Sequence, residues 1–110
     1  MSADAPLGTF EEQVLLALLR VSDEAYGMSV RRELEATTGR DVSIGAVYAT
    51  LDRLESKGLA QSFSGDGEAR VRRLFRVTPT GAQALLASRN MRERLWDGIS
   101  ATLHDVLTSE

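Results

Sequence analysis

Seventeen consecutive residues, Ser43 to Leu59 (SIGAVYATLDRLESKGL), constrain this chain more than any other stretch. Ser43 opens the segment with a hydroxyl suited to an N-cap, where it accepts a hydrogen bond from an otherwise unpaired backbone N–H; losing such a cap costs about 1 kcal/mol. Ile44, Val47, Leu51 and Leu54 follow at intervals of three and four, which places one apolar stripe along a helix. Gly58 then supplies a left-handed stop, and Leu59 closes back onto the last turn. Opposite the stripe lie Gly45, Ala46, Ala49, Arg53 and Ser56, with Thr50 and Lys57 beside them. A capped helix whose first turns carry small outward residues can approach a large surface closely, as a recognition helix approaches a major groove. An ordinary amphipathic surface helix has the same periodicity, so the neighbouring segments must decide.

Composition narrows the classes. With 110 residues, 43% of them hydrophobic, the chain suits one globular domain with a modest core. No apolar run reaches the roughly 18–20 residues that cross a bilayer, so no membrane partner is expected. The opening MSADAPLG lacks both a basic and an apolar leader region. The absence of cysteine fits a reducing cytoplasm, where we expect the protein to act. One histidine, His104, and no cysteine leave no ligand set for a metal and no histidine-based dyad; no cofactor is expected. No nucleophile–base pair or phosphate loop is present either, which argues against an enzyme.

The net charge of −3 argues against a nucleic-acid partner until its distribution is followed. Residues 1–42 carry four basic and eight acidic side chains, whereas residues 43–77 carry six and four. Arg70, Arg72, Arg73 and Arg76 fall within seven positions. Screening limits exposed charges to about 8–10 Å, so the local cluster outweighs the total.

Residues 1–8 are expected to form a disordered lead. A first helix is expected over Thr9 to Val21, capped by Thr9, with Glu11 and Glu12 favourably placed in its first turn. Its buried face comprises Val14, Leu15, Leu18 and Leu19, with Phe10 a turn earlier. Ser22-Asp23-Glu24 breaks the pattern. A second helix runs from Tyr26-Gly27 to Thr38 with Met28, Val30 and Leu34 inward, and Gly39 ends it. After Leu59, two short extended runs, 60–64 and 71–77, flank Gly65-Asp66-Gly67-Glu68-Ala69 and predict a β-hairpin. Phe75 and Val77 would pack down, with Arg72, Leu74 and Arg76 on the other face and the stem of Arg73 against the domain. Thr78 caps the next helix with Pro79 at its first position, or Thr80 caps it with Gln83 completing a capping box. Apolar residues from Ala82 to Leu107 then keep helical spacing, which predicts a single long final helix.

Helix, helix, capped helix, basic hairpin is the order of a winged helix-turn-helix, mainly α with a small β-hairpin. The expected units are a winged DNA-binding domain over 9–78 and a dimerisation helix over 79–110. In that fold the third helix enters the major groove, and the hairpin lies along the backbone or the adjacent minor groove. Gly45, Ala46, Ala49, Arg53 and Lys57 of the capped helix, with Arg70, Arg72 and Arg73 of the hairpin, are the candidate DNA contacts. Winged helices also serve as protein-interaction modules, which Asp52, Glu55 and the acidic first two helices would permit.

These residues together resemble the PadR family of bacterial transcriptional regulators. The resemblance is carried by Val14-Leu15-Leu16-Ala17-Leu18-Leu19, then Ala25-Tyr26-Gly27, then Ser43 to Tyr48 continuing from Leu51 to Leu59, then Arg73 to Thr78 and Gly81. Two departures stand out: Ala49 where many members have proline, and Leu74 where many have a second wing aromatic. The single final segment resembles the short subgroup. The resemblance implies a homodimer whose final helix packs on its partner, and a repressor of transcription often released by a small aromatic or drug-like ligand. It also implies that Ser43, Gly45, Tyr48 and Arg73 belong to the DNA-contacting surface. Trp96, with Ile99 beside it, has two readings: packing on an apolar stripe, or one wall of an effector site between two protomers.

Overall fold

The computed structural model describes residues 7–65 and 72–109, and over these the elements follow the expected order. Helix α1 spans Thr9–Val21, a 3-10 turn covers Ser22–Glu24, α2 spans Gly27–Thr38 and α3 spans Ile44–Ser56. Strands β1 (Ala60–Ser64) and β2 (Arg73–Val77) form an antiparallel hairpin. Helices α4 (Pro79–Trp96) and α5 (Ile99–Leu107) complete the chain.

Three helices converge on one core because each has an apolar stripe to hide. Val14, Leu15 and Leu18 of α1, Val30 and Leu34 of α2, and Val47, Leu51 and Leu54 of α3 are buried together with Phe75 of β2 and Leu85 of α4. The hairpin is paired with Ser62 opposite Phe75 and Phe63 opposite Leu74. A further backbone bond, from the Phe75 N–H to the Ala25 carbonyl at 2.8 Å, ties β2 to the break before α2.

Both ends of α3 are closed as its residues require. Ser43 Oγ accepts the Ala46 N–H at 3.1 Å. At the other end Gly58 has φ of 76°. The N–H of Gly58 bonds to the Glu55 carbonyl at 3.0 Å and that of Leu59 to the Leu54 carbonyl at 2.9 Å, the paired bonds of a Schellman ending. At α4 the choice between caps is resolved: Thr78 Oγ1 accepts the Gly81 N–H at 3.0 Å, with Pro79 at the first helical position.

Several expectations are corrected. The cap of α1 is Gly8 rather than Thr9, and Glu11 reaches back to take the Gly8 N–H at 2.9 Å. Leu7 packs against the core, so the folded part begins before Thr9, while residues 1–6 lie outside the described residues. Leu19 is exposed rather than buried, because the groove it lines between α1 and α4 is open. Thr50 is buried rather than outward: three residues after Val47 and four before Leu54, it falls inside the apolar stripe. Leu74 is buried although it shares a face with Arg72 and Arg76, since its cross-strand partner Phe63 covers that position.

The largest correction concerns the final segment, which is two helices. Asp97 leaves the helical conformation and Gly98 turns left-handed at φ 76°, so α4 stops at Trp96 and α5 starts at Ile99. No residue of α5 is buried. The radius of gyration is 16.6 Å, against roughly 13 Å for a compact chain of this size. The excess is the tail, drawn out along a long axis of 60 Å.

Candidate nucleic-acid interface

The candidate surface starts at the capped end of α3. Ser43, Gly45, Ala46 and Ala49 are all exposed there, and a Cβ added at Gly45 would meet nothing within 4 Å. A partner surface can therefore come close to the backbone of the first two turns. Tyr48 borders this patch with 40% of its surface exposed. Its ring lies so close over Gly27 that a Cβ at that position would sit 2.4 Å from Cζ. Gly27 is required for the tyrosine to pack there, and the phenol spans the junction between the start of α2 and the face of α3.

The basic residues at the far end of α3 are held differently. Lys57 Nζ lies 2.7 Å from Glu11 Oε2, and Arg53 Nε lies 3.8 Å from the same oxygen. Arg53 Nη2 also donates to Thr50 Oγ1 at 3.1 Å. Glu11 is only 7% exposed. Burial alone would raise its carboxyl; hydrogen bonds from Lys57 and the Gly8 N–H, with the charges of Lys57 and Arg53, outweigh that and hold it below the ordinary glutamate range. Both cations are thus drawn toward Glu11 in the first turn of α1.

The hairpin divides its arginines between two duties. The Arg72 guanidinium lies 4.3 Å above the Tyr26 ring, at the start of α2. Arg73 is engaged inward: Nη1 lies 3.0 Å from Asp52 Oδ1, and Nη2 donates to Glu55 Oε1. Burial works against the charge of Arg73, but Glu55 and Asp52 hold its pKa above the ordinary value. The other oxygen of Glu55 takes the Ser62 hydroxyl at 2.6 Å and the Ser62 N–H at 3.1 Å, which keeps its carboxyl low. Two carboxylates of α3 therefore bind both strands of the hairpin to the helix. Arg70 lies outside the described residues.

Glu11, Gly27, Asp52 and Glu55 were not among the expected site residues. Their importance comes from partners distant in sequence: Glu11 and Lys57 are 46 residues apart, and Arg73 and Glu55 are 18 apart. Trp96 and Ile99 fall on opposite sides of the α4–α5 break, with Trp96 exposed and Ile99 half-buried. Among the described residues, no helix is long and apolar enough to cross a membrane.

A helix-turn-helix whose second helix is capped, small-faced and flanked by a fastened hairpin defines the winged-helix class, the architecture of many DNA-binding regulators. Within that class the assignment is specific. The model of the PadR-like transcriptional regulator family matches residues 15–87, and the chain belongs to this family. The transcriptional regulator Rv3488 of Mycobacterium tuberculosis is 40% identical over 73 residues, which span 66% of this chain and 67% of that protein. Among solved structures, the complex structure of hsRosR-S4, whose protein is from H. salinarum, superposes with a TM-score of 0.73 at 25% identity. That likeness covers 97% of this chain and 89% of the other. A PadR family transcriptional regulator from Eggerthella lenta superposes with a TM-score of 0.65 at 29% identity, over 82% and 80% of the two chains.

Proposed function

We propose that this protein is a sequence-specific DNA-binding repressor that acts in the cytoplasm as a homodimer and is released from its operator by a small aromatic effector. The observation that carries the reading is the exposed first half of α3, where Ser43, Gly45, Ala46 and Ala49 leave the backbone open beside Tyr48. In this reading those residues meet the major groove. Arg72, at the loop end of β2, meets phosphate, and Arg70, two positions earlier in the sequence, is a further candidate. Arg53, Lys57 and Arg73 set the potential of the surface while remaining tied to carboxylates of the domain.

The tail supports the dimer. Leu95 is 69% exposed, Trp96 58%, Val106 65% and Leu107 81%, a run of apolar surface that single domains seldom leave in water. Covering it with a second copy, over residues 79–110, pairs two reading heads about a two-fold axis, as an operator with two half-sites demands. Trp96 then stands near that axis with an indole face for a flat ligand. A ligand that favours a dimer with misplaced recognition helices would release DNA.

Selection of DNA fragments by the purified protein, followed by gel shifts at several salt concentrations, tests the reading. Binding is expected to weaken steeply with salt. Arg72→Ala should weaken all sequences alike, with a salt slope smaller by about one unit for each phosphate left without its arginine. Substituting Ala49 should instead change which sequence is preferred. Absence of any salt-dependent DNA binding would leave a protein-interaction module as the better account. Effector binding is read from the emission of Trp96, the one tryptophan in the chain. Quenching by planar aromatic compounds should track loss of operator binding.

A further inference from the structure

Beyond the packing of Leu85 and Ser88, which are buried, helix α4 is fastened to the rest of the domain by polar contacts at two ends of a lever. At its start the Thr78 N–H donates to the Leu59 carbonyl at 3.1 Å, and Thr78 Oγ1 donates to the Gly58 carbonyl at 2.6 Å. A Cβ at Gly81 would lie 2.1 Å from the Leu59 oxygen, so helix and loop touch backbone to backbone. That junction tolerates a small rotation but cannot separate without remaking the end of α3. Eleven residues beyond Gly81, about 16 Å along the helix, Arg92 Nη1 grips both carboxylate oxygens of Glu12 in the first turn of α1. Among the described residues this is the ion pair that joins α4 to another element.

The neighbour of Glu12 completes the connection. Glu11 holds Lys57 at 2.7 Å, so consecutive carboxylates of α1 secure the tail helix on one side and the end of α3 on the other. Between α1 and α4 lies an open groove of about 370 Å³ lined by Leu16, Leu19, Ala82 and Leu86, which leaves α4 room to swing once Arg92 lets go. The Arg92 side chain is 45% exposed, so water and salt reach the ionic fastening, whereas Leu59 and Gly81 at the backbone junction are buried.

We propose that the Arg92–Glu12 pair is a latch and the Gly81–Leu59 junction its pivot, so that Glu12 and Arg92 are positioning residues that set the separation of the two recognition helices. The inference rests on the dimeric DNA-binding reading above. Its scale is adequate: α3 is 13 residues long, about 20 Å, and its reading end lies that far from the pivot. A swing of about 10° moves that end by about 3.5 Å, close to the rise of one base pair. With the latch closed one spacing of half-sites is accepted; with it open, several are.

The test compares wild type, Arg92→Ala, Glu12→Gln and the charge swap Glu12→Arg/Arg92→Glu. Each is offered a library in which two copies of the selected half-site are separated by spacers of different length, and also a single half-site. The single variants should bind the single half-site within about twofold of wild type, lose about tenfold on the preferred two-site operator, and accept spacers one base pair longer or shorter. The swap should restore the wild-type spacing preference. Unchanged spacing in Arg92→Ala overturns the latch, as does an equal loss on single and paired sites or a swap that restores nothing. Thermal melts of all four proteins separate a folding defect, which would lower affinity for both kinds of site. A wild-type protein that selects no DNA overturns the functional reading and the latch with it; one that selects a spacing which Arg92→Ala keeps overturns the latch alone.

Discussion

The two halves of this molecule solve the problem of apolar surface in opposite ways. Residues 7–65 with β2 hide their leucines and valines from one another: Val14, Leu15, Val30, Val47, Leu51 and Leu54 are all fully buried. The tail carries a comparable density of such residues and hides almost none, Leu85 being the one buried leucine of α4 and α5. Composition does not separate the halves; the number of neighbouring elements does. α1, α2, α3 and the hairpin close around a common centre, whereas the main neighbour of α5 is α4. The winged-helix head buries its core within one chain; on the proposed reading, the tail is complete only in a pair.

The strongest way to break that contrast is to remove the partner. Leu103→Glu with Val106→Glu should leave the reading head folded, with far-UV helix content reduced by α5 at most. Light scattering should fall from twice the chain mass to once, and affinity for a two-site operator should drop by about a hundredfold or more as avidity is lost. A dimer that survives both changes would place the interface elsewhere.

A smaller effect is expected where the halves meet. Gly81→Ala forces a methyl group against the Leu59 carbonyl, and backbone cannot retreat as a side chain can. Destabilisation of about 1–3 kcal/mol is expected in urea unfolding, whereas Gly45→Ala, a helical position whose added methyl meets open space, should be neutral or stabilise by up to about 1 kcal/mol. Similar midpoints for the two variants would show that the junction is looser than the geometry requires.

The smallest effect concerns the head by itself and depends on pH. Glu11 titrates below its ordinary value of 4.5, so the stability it contributes is present above that pH and is lost as pH falls through the lowered value. Glu11→Gln should therefore melt below wild type at pH 7, and the gap should narrow progressively under pH 4.5. Glu33, Glu35 and Glu55 are also held low, so wild type loses stability in acid for several reasons; the difference between the two proteins isolates Glu11. A gap that is the same at every pH would mean that packing, not charge, accounts for the loss.

Much of the head was legible in the sequence because its signals are local. Ser43, Gly58-Leu59, Gly39 and Thr78-Pro79 each act on residues within one turn, and each closes its helix as read. The family resemblance was legible for the same reason, since its residues fall in short runs. The candidate surface was legible only in part. The small residues of α3 are exposed as expected, but Arg53, Lys57 and Arg73 have carboxylate partners that no local pattern announces. The α4–α5 break was hidden by periodicity: Leu95, Trp96, Ile99 and Leu103 keep helical spacing straight through Gly98. A glycine inside such a pattern costs about 1 kcal/mol if the helix continues and ends the helix if it turns left-handed. Spacing alone does not distinguish the two outcomes.

The carbonyl groups of Gly58 and Leu59 have a consequence for how the protein opens. The N–H groups of the same two residues close α3, and in the same place their carbonyls receive the hydrogen bonds of Thr78. The end of α3 therefore cannot fray by itself, because releasing it strands the start of α4 as well. In amide hydrogen exchange, the N–H groups of Leu59 and Thr78 should be exposed together, at the free energy of opening the whole head. Helices in most small domains melt inward from their tips. Here the tip of α3 is spliced to the root of the tail, so the cooperative unit reaches across the boundary between the buried head and the exposed tail.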